Sequence, residues 1–207
     1  MDLEKVFEKR RSIRKFLSVH VEWEKLCKIV SAGACAPCAG NIQNWKFVII
    51  TDHDTKEKVA ESALEQYWIG TAPAIIVVCA ETSNIKKFYG LRGEKLYSIQ
   101  NCSAAIQNML LQVINLNLGT CWVSAFDENM LSRTLGIPDD VRPQAILPIG
   151  YPDEKPPKPM KLDLADFTYK EGYGNKIDSM DDYLKNRYYL EKAIDKSKGF
   201  ISKLKKK

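Results

Sequence analysis

Histidine is almost absent from this chain of 207 residues, which contains only His20 and His53. Both stand among polar residues, where an exposed side chain is a more frequent outcome than a catalytic one. They complete neither a Ser-His-Asp nor a Cys-His arrangement. Of the six cysteines, Cys35 and Cys38 form a C-x-x-C pair, but no second pair or nearby histidine adds the further ligands of a zinc site. We therefore predict no metal site and assign no side chain as catalytic, with a redox or metal-binding role for the cysteine pair as the minor alternative.

The sequence also lacks any apolar run of about 18 residues, which argues against a transmembrane helix. Its first residues, MDLEK, contain acidic side chains and no apolar core of a signal peptide. We therefore expect a cytoplasmic protein that enters no membrane and keeps its cysteines reduced. Neither G-x-G-x-x-G nor G-x-x-x-x-G-K-[ST] occurs, so neither a Rossmann site nor a P-loop is predicted. If the protein is an enzyme, its reactivity is expected to come from a bound cofactor.

The composition is that of a globular protein, with 45% hydrophobic and 28% charged residues. The length suits one large domain or two small ones. The net charge of +5 is unevenly distributed, because residues 183–207 contain nine basic and two acidic side chains while the rest of the chain is slightly acidic. We interpret this basic tail as a solvated end. Binding of nucleic acid or of an anionic membrane through the tail is the less favoured alternative.

Three arginines and a serine are concentrated in the stretch Arg10-Arg11-Ser12-Ile13-Arg14. A guanidinium group is always charged, and it matches the geometry of a phosphate with two parallel hydrogen bonds. If the stretch is extended, Arg10, Ser12 and Arg14 point to one side, because side chains alternate along a strand. The stretch therefore indicates either a cradle for a phosphorylated ligand or a solvated basic turn.

Three segments have the composition of β-strands, and they are residues 46–50, 74–80 and 142–152. The apolar run at 74–80 is uninterrupted, which favours a central strand that is covered on both faces. Residues 121–126 are expected to be a strand or an extended segment. Residues 153–161 contain three prolines and are expected to run extended over the surface.

Apolar residues recur at helical spacing in several further segments. One predicted helix begins after Asp2, and another runs from Asp127 to Gly136. The others span residues 22–34, 56–65, 98–118 and 177–196. In the second helix Trp23, Leu26 and Val30 are expected on the apolar face. Gly119 is the C-cap candidate of the longest helix. Residues 81–97 are expected to form a mobile lid or a plain surface loop.

Five separated stretches, taken together, resemble the FMN-dependent nitroreductase family. Residues 10–14 look like its N-terminal flavin-phosphate signature, and residues 36–45 (APCAGNIQNW) are similar to its A-P-S-A-G-N-x-Q-P-W loop. The remaining stretches are Gln66 followed by Ala72-Pro73 and an apolar strand, residues 118–127 (LGTCWVSAFD), and residues 147–152 (LPIGYP). Their order and spacing agree with the family over residues 2–165.

The resemblance implies an α+β, nitroreductase-like fold in which a central, mainly antiparallel sheet is flanked by helices. It also implies an intertwined homodimer with two FMN sites at the subunit interface. Residues 1–170 would form the FMN-binding domain, and residues 171–207 would be a C-terminal extension with the basic tail that wraps the partner subunit.

The resemblance assigns flavin-binding roles residue by residue. The phosphate, the ribityl chain and the flavin carbonyl edge fall to Arg10, Arg11, Ser12 and Arg14, with Lys158 and Lys161 completing the phosphate site. Contacts to the ring of the same subunit fall to Gln66, Val123, Ser124 and Ala125, and contacts to the other subunit's flavin fall to Pro37, Cys38 and Asn41. Two positions depart from the family pattern, because Cys38 stands where serine is usual and Asn44 where proline is usual.

The implied function is electron transfer from NADH or NADPH through FMN to a small-molecule acceptor such as a nitroaromatic or a quinone. One site used in turn by donor and acceptor gives ping-pong kinetics. A reductive dehalogenase or a flavin-breakdown enzyme on the same scaffold is one alternative, with Tyr89, Arg92 or Lys95 of a lid gripping a charged substrate. A non-catalytic protein that binds FMN or nucleic acid is the other.

Overall fold

A computed structural model describes residues 2–177 of the chain. The described residues divide into two compact units, of which the first ends at Pro157 and the second begins at Lys158. In the described part of the second unit, a short helical turn spans Leu164–Asp166 and a bridge joins Tyr169 to Lys176. The predicted terminal helix and the basic tail lie outside the described residues. The domain boundary after residue 170 stays a prediction.

The first unit is built on a sheet of four strands. They are β1 (Trp45–Ile50), β2 (Ala74–Glu81), β3 (Gly119–Thr120) and β4 (Val141–Gly150). Their order is β1-β2-β4-β3, and every pairing is antiparallel. The three strands predicted from apolar patterning are confirmed, and so is the α+β class with an antiparallel sheet.

The described chain contains six α-helices. They are α1 (Leu3–Lys9), α2 (Trp23–Ala34), α3 (His53–Ser62), α4 (Ser83–Arg92), α5 (Ser98–Asn115) and α6 (Glu128–Leu135). Strand β2 separates two hydrophobic cores, because its side chains alternate between the two faces. Ile76 and Val78 pack with residues of α2 and α5, whereas Ile75 and Val77 pack with residues of α3 and α6. The apolar run of β2 is uninterrupted because both faces are covered.

Two helix ends show how far local signals determine the boundaries. Asp127 caps α6 by accepting a hydrogen bond from the Met130 backbone N–H at 2.8 Å, and Gly136 ends the helix in the left-handed region at φ 64°. The Asp127 cap and the end of the helix at Gly136 were predicted. The prediction of Gly119 as the C-cap of α5 is wrong, because Asn117 takes the left-handed conformation at φ 58° and Gly119 lies in β3. Asparagine tolerates this conformation better than most residues.

The prediction of a loop at residues 81–97 is also wrong, because α4 is followed directly by a π-helical turn at Gly93–Tyr97. The apolar periodicity is weak there because α4 buries only Ile85. Helix α2 buries Leu26, Ile29 and Gly33, while Trp23 of the predicted apolar face is 60% exposed. Within residues 2–177, none of the helices has the length and apolar character needed to cross a membrane.

Candidate functional site

The arginine stretch runs extended beside β3. Ser12 forms a parallel bridge with Thr120, and the Ile13 backbone N–H donates to the Thr120 carbonyl at 2.9 Å. Ile13 is buried in a small cluster with Phe16 and Ala72. Because side chains alternate along an extended segment, Ser12 and Arg14 are turned to the side opposite Ile13. The segment therefore presents polar side chains on one side and is anchored by apolar ones on the other.

The segment that follows β4 holds the arginine stretch from a second direction. The Glu154 carboxylate accepts hydrogen bonds from the backbone N–H groups of Arg14, at 2.5 Å, and Lys15, at 3.1 Å. The Asp153 backbone N–H donates to the Lys15 carbonyl at 2.9 Å. The stretch is thus held through its backbone, which leaves the guanidinium group of Arg14 available.

The three arginines have different surroundings. Arg11 Nη1 donates to the carbonyls of Glu8 and Arg10 at 2.8 and 2.7 Å, next to the end of α1, while its Nε is buried without a partner among the described residues. Arg11 and Lys155 line a cavity of about 450 Å³. For Arg10 and Arg14, the described residues provide neither a hydrogen bond nor an ion pair to the guanidinium group. These uncompensated charges beside Ser12 suit an anionic group.

Gln66 and the segment after β3 meet next to this stretch. Gln66 Nε2 donates to the Ala125 carbonyl at 3.3 Å and to the Ala63 carbonyl at 2.8 Å. The following turn carries Trp68, and the Arg14 guanidinium carbon lies 5.9 Å from the centroid of the Trp68 ring. Trp68 also packs against the cluster that contains Ile13. The structure therefore brings the predicted residues Arg14, Gln66 and Ala125 to one surface.

Two neighbouring residues contribute in different ways. Val123 exchanges backbone hydrogen bonds with Ile146 of β4 at 3.0 and 2.9 Å, and its side chain is buried in the core. Only its backbone is therefore placed to meet a ligand. The Ser124 hydroxyl is exposed and accepts a hydrogen bond from Trp122 Nε1 at 2.8 Å.

The loop with Pro37, Cys38 and Asn41 follows α2, and its hydrogen bonds are made to elements other than the arginine stretch. Among residues 2–177, no hydrogen bond links it to the arginine stretch or to Gln66 of the same chain. Asn44, which stands where proline is usual, is buried and donates to the Glu81 carbonyl at 3.2 Å. Pro37 and Asn41 are exposed and Cys38 is half-buried.

Two predicted residues belong to the second unit, and two residues of the first unit were not predicted. Lys158 and Lys161 are exposed in the second unit, and their role at the phosphate stays a prediction. The contributions of Trp68 and Asn101 were missed. Asn101 is a polar residue on the buried, mainly apolar face of α5, and this was the signal that could have identified it. Within residues 2–177, no three side chains of His, Cys, Asp or Glu are grouped so as to hold a metal ion.

All six cysteines are free thiols. Cys27 and Cys35 are exposed, and burial raises the pKa of the Cys38 thiol. Burial raises the pKa of Cys79 and of Cys102 to about 12 in each case. Because the thiolate is the nucleophile, a thiol with such a pKa is only about 10⁻⁴ ionised at pH 8.

We expect iodoacetamide at pH 8 to alkylate Cys27 and Cys35 of the native protein but not Cys79 or Cys102. The two buried thiols should react only after unfolding in guanidinium chloride, since unfolding restores their access and their ordinary pKa. Peptide mass spectrometry measures the labelling of each cysteine over time. If Cys79 in the native protein were labelled as fast as Cys27, the Cys79 thiol would not be buried.

Comparison with known proteins gives concordant results. A family model described as the nitroreductase family matches residues 7–69 and 63–151. A putative NADH dehydrogenase/NAD(P)H nitroreductase of Methanothermobacter thermautotrophicus is 32% identical over 160 residues, which cover 75% of this chain and 80% of that protein. A protein of the same description from Archaeoglobus fulgidus is 35% identical over 156 residues, which cover 73% of this chain and 86% of that protein.

A solved structure agrees as well. The crystal structure of a putative NADH dehydrogenase/NAD(P)H nitroreductase from Parabacteroides distasonis has a TM-score of 0.73 and 27% sequence identity. The match covers 83% of this chain and 98% of that one. The similarity therefore extends over nearly the whole of the related protein.

Proposed function

The chain belongs to the nitroreductase family, and from that premise we propose that it is an FMN-dependent oxidoreductase. It passes electrons from NADH or NADPH to a small-molecule acceptor such as a nitroaromatic or a quinone. The proposal rests mainly on one surface, which carries Arg14, Gln66 and Ala125. Ser12 lies beside it, and so does Arg10, whose charge is not compensated by a described residue. Bound FMN would supply the redox centre.

The roles of the protein follow from the chemistry of its side chains. Arg10, Ser12 and Arg14 bind the phosphate and the neighbouring polar groups, because their charges and hydroxyl have no hydrogen bond or ion pair among the described residues. Arg11, whose Nη1 caps α1, is included in this proposal because the resemblance assigns it to the same ligand. Gln66 offers an amide to the ring edge next to the exposed backbone at Ser124 and Ala125. Lys158 and Lys161 are assigned to the phosphate by the resemblance alone, and this stays a prediction.

We also propose that the functional form is a homodimer with FMN at the interface. The loop with Pro37, Cys38 and Asn41 has no hydrogen bond to the arginine stretch of its own chain among residues 2–177, so a second copy is the means by which it reaches a flavin. Exposed apolar side chains on α1 support an interface, since Leu3 is 58% and Phe7 55% exposed. Residues 171–207 wrap the partner in this proposal.

The purified protein is expected to show a flavin absorption spectrum, either as isolated or after addition of FMN. Anaerobic NADH or NADPH should bleach the spectrum, and a nitroaromatic or a quinone should restore it. Mass spectrometry of the flavin released by denaturation identifies it as FMN. A protein that takes up no flavin would overturn the proposal, whereas a bound flavin that neither nucleotide reduces would overturn the choice of donor.

Steady-state kinetics test the shared site. With NADH or NADPH varied at several acceptor concentrations, double-reciprocal plots should give parallel lines, because one product leaves before the acceptor binds. Intersecting lines would show that both substrates are bound together and would rule out the ping-pong order.

A further inference from the structure

The loop at residues 38–44 contains two consecutive residues in the left-handed region. Gly40 has φ 56° and Asn41 has φ 58°. Such a pair is not favoured by the chain itself, because only glycine visits this region freely and asparagine does so less readily. The conformation of the loop must therefore be stabilised by neighbouring groups.

Asn101 of α5 holds both ends of the left-handed pair. Its Oδ1 accepts a hydrogen bond from the Ala39 backbone N–H at 3.0 Å, and its Nδ2 donates to the Ile42 carbonyl at 3.3 Å. These two backbone groups immediately flank Gly40 and Asn41. Asn101 is only 4% exposed, so water does not readily replace either bond.

Asn44 extends this attachment to the sheet. Asn101 Nδ2 also donates to Asn44 Oδ1 at 2.8 Å, and Asn44 Nδ2 donates to the Glu81 carbonyl at the end of β2. The Glu81 backbone N–H returns a hydrogen bond to the Asn44 carbonyl at 2.7 Å. Asn44 is 3% exposed. The two amides therefore form a buried pair that connects the loop to α5 and to β2.

Tyr89 of α4 closes the other side of the loop. A Cβ atom placed on Gly40 would collide with the Tyr89 hydroxyl. The Tyr89 ring is itself held by an edge-on contact with the Tyr97 ring, at 5.3 Å between centroids. The loop is thus confined between α4 and the side chain of Asn101.

We propose that Asn101, acting together with Asn44, is a positioning residue that holds the 38–44 loop in the conformation in which Cys38 and Asn41 meet the partner subunit's flavin. This inference rests on the proposed function, because it takes the loop to be part of the FMN site. A loop that is ordered before binding loses less conformational freedom when FMN binds. The amide pair therefore raises FMN affinity without touching FMN.

The test compares wild-type protein with the Asn101→Ala variant. We expect the Kd for FMN, from titration of flavin fluorescence, to rise about tenfold because the free loop is no longer preorganised. The Ala39 amide should exchange hydrogen at least about tenfold faster in the FMN-free variant. The visible circular dichroism of bound FMN should also change, because the flavin's surroundings are no longer fixed.

Asn108→Ala is the matched control. Asn108 also lies on α5, and its Nδ2 donates to the Ala32 carbonyl at 3.2 Å, outside the loop. This variant loses a comparable amide–carbonyl bond, but its FMN affinity and circular dichroism should remain those of wild type. Asn44→Ala, which removes the amide pair and leaves both Asn101 bonds to the backbone, should raise the Kd about threefold. It provides the test if Asn101→Ala does not fold.

The outcomes separate the two proposals. The wild-type titration alone decides whether FMN binds, and a failure there overturns the proposed function together with this inference. If wild type binds FMN and the Asn101 and Asn44 variants match Asn108→Ala in Kd and circular dichroism, the positioning role is overturned while the proposed function stands. If the double Asn44→Ala/Asn101→Ala variant is no weaker than Asn101→Ala, the two amides act as one unit, as proposed.

Discussion

FMN binding to the Arg10→Gln variant is expected to be roughly 30- to 150-fold weaker than binding to wild type. Glutamine keeps a polar side chain but removes the charge, and a hydrogen bond to a charged group contributes about 2–3 kcal/mol. The Arg10 guanidinium has no hydrogen bond or ion pair among residues 2–177, so its removal leaves no described group unpaired. The loss should therefore report on ligand binding rather than on folding.

A parallel titration with riboflavin distinguishes a contact of Arg10 to the phosphate from a contact to the ring. It has the isoalloxazine ring and the ribityl chain but no phosphate, so Arg10→Gln should change its Kd by less than about twofold. Arg133→Gln on α6 is the control variant, because Arg133 is exposed and belongs to another surface. An equal loss for FMN and riboflavin would show that Arg10 does not act through the phosphate. An unchanged Kd for FMN would place the phosphate elsewhere.

Replacing Gly119 with alanine is expected to destabilise the protein by about 1–3 kcal/mol and to weaken FMN binding as well. A Cβ atom on Gly119 would lie 2.9 Å from Cβ, Cγ1 and Cγ2 of Ile13. Ile13 is buried and β-branched, so its side chain cannot rotate away without strain. Any shift of Ile13 moves Ser12 and Arg14, which flank it in the proposed phosphate site.

Thermal unfolding and FMN titration measure the two effects of Gly119→Ala. For a chain of this length, the expected loss corresponds to a fall in Tm of roughly 3–10 °C. Gly70→Ala is the control, because a Cβ at Gly70 meets its nearest atom at an ordinary 3.5 Å. If Gly119→Ala matched Gly70→Ala in Tm and in FMN affinity, the close contact between Gly119 and Ile13 would not be needed for stability or for FMN binding.

The predictions that succeeded for the fold rest on local signals. Strand β2 was identified as central because an uninterrupted apolar run of that length needs cover on both faces. Helix α6 was bounded correctly because Asp127 and Gly136 satisfy its terminal backbone groups directly. In α4 the same reasoning failed, because a helix that buries only Ile85 has no apolar stripe for the sequence to reveal.

For the site, local reasoning identified the residue types but not their arrangement. The sequence left the stretch at 10–14 ambiguous between a phosphate cradle and a basic turn, and it did not reveal the bridge to Thr120 that holds the stretch beside β3. That pairing joins segments far apart in the chain, and no local pattern reports it. The resemblance to a family supplied the expected flavin-phosphate role of the stretch, but not this pairing. Asn44 was noted as a departure from proline, but its pairing with Asn101 depends on tertiary packing.

Strand β1 has a consequence for the solution behaviour of the protein. Among the described residues it pairs on one side only, with β2, and its sequence WKFVII contains no proline and a single charge. That charge, on Lys46, is matched by Glu81 at 2.6 Å. An uncovered edge of this kind is a template for aggregation. The colloidal stability of concentrated preparations is therefore expected to depend on whether another segment or another copy covers this edge.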